Sequence, residues 1–166
     1  AAERGHRVTL FEKEQTLGGA LRFTEYSETK TDLNRYMHYL TERVKALGVD
    51  IRTGCEAAPD MISAMSPDAV IAAVGAGQRT ISSADGSRVW SAPEAYADMA
   101  ALGSHVVIIG GKLTGAELAI DLAKSGRSVT VVGRASEIAA GAPHFYRLGL
   151  EEELEACSER INCLTG

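Results

Sequence analysis

The strongest periodicity in the chain runs from Thr31 to Leu47. Leu33, Tyr36, Met37, Leu40, Val44 and Leu47 recur at the 3.6-residue spacing of one helical face, and Gly48 closes the pattern. Before it, Arg7 to Phe11 is a short run of β-formers, and a polar loop is expected from Thr24 to Lys30. After it, Val49 to Arg52 reads as a strand and Pro59 to Met65 as a short helix with proline in its first turn. Asp68 to Val74 is a continuous apolar run bounded by Pro67 and Gly75, which predicts a buried parallel strand. Gln78 to Ser91 reads as irregular, with a turn at Asp85-Gly86, and Pro93 to Met99 as a second modest helix.

A fresh unit then begins. His105 to Ile109 is a strand, Gly110 to Gly115 a glycine-rich turn, and Glu117 to Lys124 carries a helix with Leu118 and Leu122 inward, ended by Gly126. Ser128 to Val132 is the next strand, Tyr146 to Cys157 a helix with Leu148, Leu150 and Leu154 among its apolar positions, and Ile161 to Leu164 a last strand. Short apolar strands alternating with helices predict an α/β, Rossmann-like fold, with parallel sheets covered by helices on both faces. The pattern occurs twice, in two nested, incomplete dinucleotide-binding units at residues 1–78 and 104–166, joined by a crossing segment at 79–103. Arg4-Gly5-His6-Arg7-Val8-Thr9-Leu10 matches Ser125-Gly126-Arg127-Ser128-Val129-Thr130-Val131 in kind: a helix end, a glycine and a strand. The chain opens without Met on what reads as the last turn of a helix capped by Gly5, as expected of a piece of a longer protein.

Composition narrows the function. A net charge of -5 argues against nucleic acid or an anionic membrane as partner. No apolar run approaches the roughly 20 residues of a membrane-spanning helix, and the chain is expected to be soluble and cytoplasmic. Cys55, Cys157 and Cys163 form no CxxC pair, and His6, His38, His105 and His144 are scattered, so neither a disulfide framework nor a metal site is expected.

The chemistry concentrates between Val106 and Glu117. A glycine turn between a buried strand and a helix lets backbone amides approach a pyrophosphate, and the helix N-terminus adds free N–H groups and a favourable dipole. Gly110 and Gly115 hold the first and last fingerprint positions, with Gly111 and Thr114 between them. Lys112 stands at the middle glycine position, where backbone comes closest to phosphate. Three readings remain: Lys112 pairs with phosphate, binding is weakened, or the site is vestigial. About 20 positions on, a carboxylate would accept hydrogen bonds from the ribose 2′-hydroxyl of NAD. This sequence has Gly133-Arg134 instead, which favours NADP through pairing of Arg134 with the 2′-phosphate, unless Arg134 is only a solvated loop charge. Glu117 either reaches the nicotinamide side or is a helix-start charge favoured by the dipole. In the first unit Glu12, followed by Lys13 and by Leu17-Gly18-Gly19, looks like a ribose-binding carboxylate with a second backbone approach to a dinucleotide. The alternative for Glu12 is a strand-end surface carboxylate.

Phe11-Glu12-Lys13 with Leu17-Gly18-Gly19-Ala20-Leu21 resembles the flavin-domain signature of two-dinucleotide-binding flavoproteins, and Pro67 to Ala76, containing Gly75, resembles the motif closing the first half of their FAD domain. Val107 to Glu117 resembles their inserted nicotinamide domain. The helix leading into Gly48-Val49-Asp50-Ile51 is most similar to the C-terminal region of the NADH:flavin oxidoreductase, 2,4-dienoyl-CoA reductase, enoate reductase and trimethylamine dehydrogenase group. The resemblance implies a partial FAD-binding domain at 1–78, whose first glycine motif would lie upstream, and a partial NAD(P)-binding domain at 104–166. It further implies an upstream TIM barrel with FMN, and in some members an iron–sulfur cluster, neither bound by this segment. The missing cysteine pair disfavours the disulfide-reductase branch, and the glutamate synthase small-subunit type ranks second among relatives. An electron-entry module passing hydride from NAD(P)H to FAD is expected, with no acid, base or nucleophile of its own and no turnover in isolation. The competing expectation is a non-catalytic adenine-nucleotide-binding or structural module.

Overall fold

The computed structural model describes residues 1–27, 30–77 and 81–166. The chain divides into two compact units, Ala1–Gln78 and Arg79–Gly166.

In the first unit a short 3-10 helix, Ala2–Arg4, ends on Gly5 in the left-handed conformation at φ 82° and leads into β1, Thr9–Phe11. A 3-10 helix at Gly19–Tyr26 precedes α1, Thr31–Ala46, which buries Met37. β2, Asp50–Arg52, pairs parallel with β1, Leu10 lying opposite Ile51. The helix α2 follows at Pro59–Ala64. Two expectations are corrected here. The polar loop from Thr24 to Lys30 is helical as far as Tyr26, because the Thr24 hydroxyl donates to the Leu21 carbonyl at 2.7 Å and the residue is buried. Residues 28 and 29 of that loop lie outside the described residues. The buried strand at 68–74 does not form: the segment has no strand pairing, and Val70, Ile71 and Val74 are 64%, 80% and 91% exposed. A parallel strand needs a neighbouring strand edge and a covering layer, and among the described residues this unit's sheet consists of β1 and β2 alone.

The second unit opens with α3, Ala92–Ala97. Ser91 caps it in a reciprocal capping box with Glu94, whose carboxylate accepts from the Ser91 amide at 2.8 Å. Then come β3, His105–Ile109; α4, Leu113–Lys124; β4, Ser128–Gly133; α5, His144–Ala156; and β5, Ile161–Thr165. The three strands run parallel in the order β3-β4-β5, Val107 facing Thr130 and Val131 facing Cys163. The β-α-β-α-β succession read from the sequence is therefore present as a Rossmann-like parallel sheet. The core is α4 against that sheet: Ala116, Ala119, Leu122 and Val131 are fully buried, with Ile108, Val129 and Leu150 nearly so. Alternate side chains fall on opposite faces of a strand, and Val107, Ile109 and Leu164 stay exposed. The helical cover expected on both faces is thus present on one among the described residues.

Tyr96 on α3 ties that helix to α4. Its ring is 3% exposed and its hydroxyl donates to the Asp121 carboxylate at 2.9 Å. Burial first, and then the Asp121 charge, holds the phenol well above its ordinary pKa. A group with a raised folded-state pKa contributes stability below its unfolded value, about 10 for tyrosine, and loses it as the pH climbs past that value. Tyr96→Phe is expected to cost about 1 kcal/mol at neutral pH and to flatten the alkaline loss of stability, as read by urea midpoints between neutral pH and the alkaline limb.

Candidate functional site

Each unit presents a glycine-governed turn at the carboxyl end of its first strand. In the first unit Glu12 directly follows β1. Its amide donates to the Arg52 carbonyl and its carbonyl accepts from the Cys55 amide, both at 2.9 Å, so the backbone is fixed from two sides. Oε1 of Glu12 accepts from the Glu14 amide at 2.9 Å, which turns the carboxylate over its own loop. Lys13 is exposed beside it. At Gly18 φ is 123°, and a Cβ there would lie 2.7 Å from Sδ of Met37 and 3.0 Å from Cγ of Arg22. Glycine is thus required twice over, by conformation and by the approach of α1. Gly19, at φ 50°, meets nothing within 4 Å, so its backbone faces open space.

Glu12, Lys13, Gly18 and Gly19 therefore share one connection. Gly75 does not join them by any observed contact: it is exposed, at φ 71°, in the irregular segment. Arg22 was not singled out from the sequence. Its Nε is buried behind Gly18 and has no hydrogen-bond partner among the described residues. An arginine one turn beyond a Gly-Gly pair was the signal available, and its meaning depends on burial that spacing does not show.

In the second unit Gly110 extends the sheet, its amide donating to the Val132 carbonyl at 2.8 Å, before the chain turns at φ 120°. A Cβ on Gly115 would stand 1.8 Å from the Gly110 carbonyl oxygen, so the start of α4 lies directly on the turn. Gly111 is covered from the other side: a Cβ there would meet Cδ1 of Ile138 at 2.7 Å and Cγ1 of Val131 at 3.5 Å. Its carbonyl accepts from the Ala139 amide at 2.7 Å.

Lys112, at the middle fingerprint position, has φ -74° and ψ -172°, extended backbone open to any residue. It is the N-cap of α4, makes no side-chain capping bond and is exposed. The first-turn amides of α4, which no helical carbonyl can reach, are thus also left without a side-chain acceptor at the cap. Thr114 is exposed on that turn. Glu117 is drawn toward α5, its Oε1 accepting from the Tyr146 hydroxyl at 2.5 Å. Arg134 stands exposed directly after β4. Among the described residues no cluster of His, Cys, Asp and Glu could hold a metal, and no helix is long and apolar enough to cross a membrane.

A parallel β-α-β unit whose strand-to-helix turn is closed by obligate glycines, with uncapped helix amides above it, defines a dinucleotide-binding fold. The chain belongs to the pyridine nucleotide-disulphide oxidoreductase family, whose profile matches residues 1–166. It is 40% identical to bilirubin reductase of Mediterraneibacter gnavus over the whole of this chain and 26% of that protein. With NADH oxidase of Thermoanaerobacter brockii it shares 38% identity over 92% of this chain and 24% of that protein. Among solved structures, 2-naphthoyl-CoA reductase in complex with 2-naphthoyl-CoA superposes over 99% of this chain and 25% of its own, at a TM-score of 0.87 and 27% identity. Histamine dehydrogenase from Rhizobium sp. 4-9, at 17% identity and a TM-score of 0.75, shares the fold. The chain spans about a quarter of the length of these relatives. It is a flavin-dependent pyridine nucleotide oxidoreductase domain, and its family implies binding of FAD and NAD(P)H.

The turn makes a direct demand on Gly115. Gly115→Ala, a stabilising exchange at most helical positions, is expected here to force α4 off β3. A lowered urea midpoint together with lost nucleotide binding in titration is the expected result.

Proposed function

We propose that this chain is the electron-entry module of a flavin-dependent NAD(P)H oxidoreductase, in which hydride passes from NAD(P)H to FAD and electrons pass on to an FMN-bearing barrel domain upstream in the parent protein. Relatives named as reductases and an oxidase, each about four times longer than this chain, support that reading. The redox chemistry is the cofactors' own, and the protein supplies binding, orientation and electrostatics.

The observation carrying the reading is the β3–α4 turn. Gly110 and Gly115 bring the helix start against the strand end, and α4 offers first-turn amides that no capping side chain occupies. Such amides and the helix dipole suit a pyrophosphate. Lys112 fits the same group without a glycine conformation, since its backbone is extended and its amine is exposed. Arg134 follows β4 where an NAD site carries an acid, which supports NADP. In the first unit Gly18, Gly19 and the buried, unpartnered Nε of Arg22 fit an anionic group beside Glu12. Glu12 would then accept from the ribose of FAD, Lys13 would lie alongside, and Gly75 would complete this site on ligand binding. In the second unit Gly111, Thr114 and Glu117 would line the nicotinamide dinucleotide.

No residue of this chain is assigned as acid, base or nucleophile. A cytoplasmic setting suits a reductase drawing on NAD(P)H.

Titration of the chain with NADPH, NADH and ADP tests the reading. NADPH is expected to bind more tightly than NADH, with Arg134→Ala weakening NADPH roughly tenfold, as for loss of a charge-assisted hydrogen bond, and leaving NADH unchanged. Lys112→Gly is expected to leave affinity nearly unchanged or lower it. A marked gain on Lys112→Gly would instead identify a degraded nicotinamide site and favour a structural adenine-nucleotide module.

A further inference from the structure

The connection from β4 to α5, residues 134–143, carries two charges in sequence, Arg134 and Glu137. A carboxylate in this loop is the group that would accept a ribose 2′-hydroxyl and repel a 2′-phosphate. Glu137 is not left to do so. Nη1 of Arg147 donates to its Oε1 at 2.6 Å and Nη2 to its Oε2 at 2.7 Å, while Nε of the same guanidinium donates to Glu151 at 2.7 Å. The arginine's hydrogen bonds and charge hold the Glu137 carboxyl below its ordinary pKa, so the acid stays ionised with both oxygens engaged by the guanidinium it shares with Glu151.

The loop is fixed at two further points on the glycine turn itself, by Ile138 against Gly111 and by the Ala139 amide on the Gly111 carbonyl at 2.7 Å. Ala139 is fully buried in a left-handed conformation at φ 55°, which a side chain adopts only when its surroundings hold it there. An exposed ion pair adds little to stability. The fork on Glu137 therefore matters through what it does to the loop's charge and position.

We propose that Arg147 is a positioning residue for dinucleotide choice: by occupying both oxygens of Glu137 it withdraws the loop's one acid and leaves Arg134 as its unopposed charge, which selects the 2′-phosphorylated cofactor. This rests on the reading of Arg134 given above. A lysine cannot reproduce the two-pronged contact, so the arginine is specific.

The test titrates NADPH and NADH into the chain and into Arg147→Met, Glu137→Gln and the double variant, with thermal melts to confirm folding. Arg147→Met is expected to reduce the preference for NADPH over NADH roughly tenfold, the scale of one charged hydrogen bond. Glu137→Gln alone is expected to keep or raise that preference, and the double variant to restore it. A purely structural role for Arg147 would give no restoration. An unchanged ratio in Arg147→Met, or a fall in Glu137→Gln, overturns the proposal, and the site reading stands if Arg134→Ala still abolishes the preference. An unsubstituted chain that binds neither dinucleotide, or prefers NADH, overturns both.

Discussion

A missing side chain sets the geometry of the second unit. With 1.8 Å between the Gly110 carbonyl oxygen and the place a Gly115 Cβ would take, the first turn of α4 rests on the peptide that ends β3. The closeness propagates. Because α4 begins there, Ala116, Ala119 and Leu122 reach full burial against the sheet. Because Gly111 and Gly133 also lack side chains, the ends of β3 and β4 lie side by side, the Gly111 backbone 3.4 Å from a Gly133 Cβ position. That leaves room for Ile138 and Ala139 to close the loop after β4 over the turn. Glycine is usually a cost in regular structure; here that cost is offset by a helix start held where an anion can use it.

The first unit solves the same problem with a different contact. Gly18 is forced by the Met37 thioether of α1, so the helix that packs on the Gly19–Tyr26 3-10 helix also dictates the turn that leads into it. The two turns differ in what they ask of the backbone. At Gly18 and Gly19 positive φ makes glycine a conformational need, whereas Lys112 sits in extended backbone. A glycine at the middle fingerprint position is therefore a matter of room for a ligand and not of backbone strain. The departure from the fingerprint at Lys112 thus would change what a bound phosphate meets, and the backbone there needs no glycine.

What the sequence made legible follows the range of the interactions involved. The α1 stripe, the strands β3 to β5 and the Gly110–Gly115 turn are encoded within a few residues of themselves; α1 and the strands formed within a residue of their expected bounds, whereas α4 begins at Leu113, inside the expected turn and four residues before Glu117. The run from Asp68 to Val74 was misread because an apolar strand is defined by its neighbours, and no strand of the described unit lies beside it. The helical turn through Thr24 depends on one hydroxyl finding one carbonyl. Tyr96 with Asp121, 25 residues apart, and Arg147 with Glu137 across the loop turn carry no periodic signal at all. Nothing local in the sequence marks Arg22 for the burial of its Nε.

Charge needs the same separation of near from far. A chain of net charge -5 holding an anionic dinucleotide looks unfavourable in sum. At physiological ionic strength, however, fields decay over about 8 Å, so distant carboxylates count for little and the groups at contact decide. In the proposed site those groups would be amides, Lys112 and Arg134 on one turn and loop. The acids near them, Glu137 and Glu117, are each engaged by a donor from α5. Arg147 of α5 thus pairs with Glu137, the Tyr146 hydroxyl fixes Glu117 without cancelling its charge, and Arg134 is the loop's remaining charge.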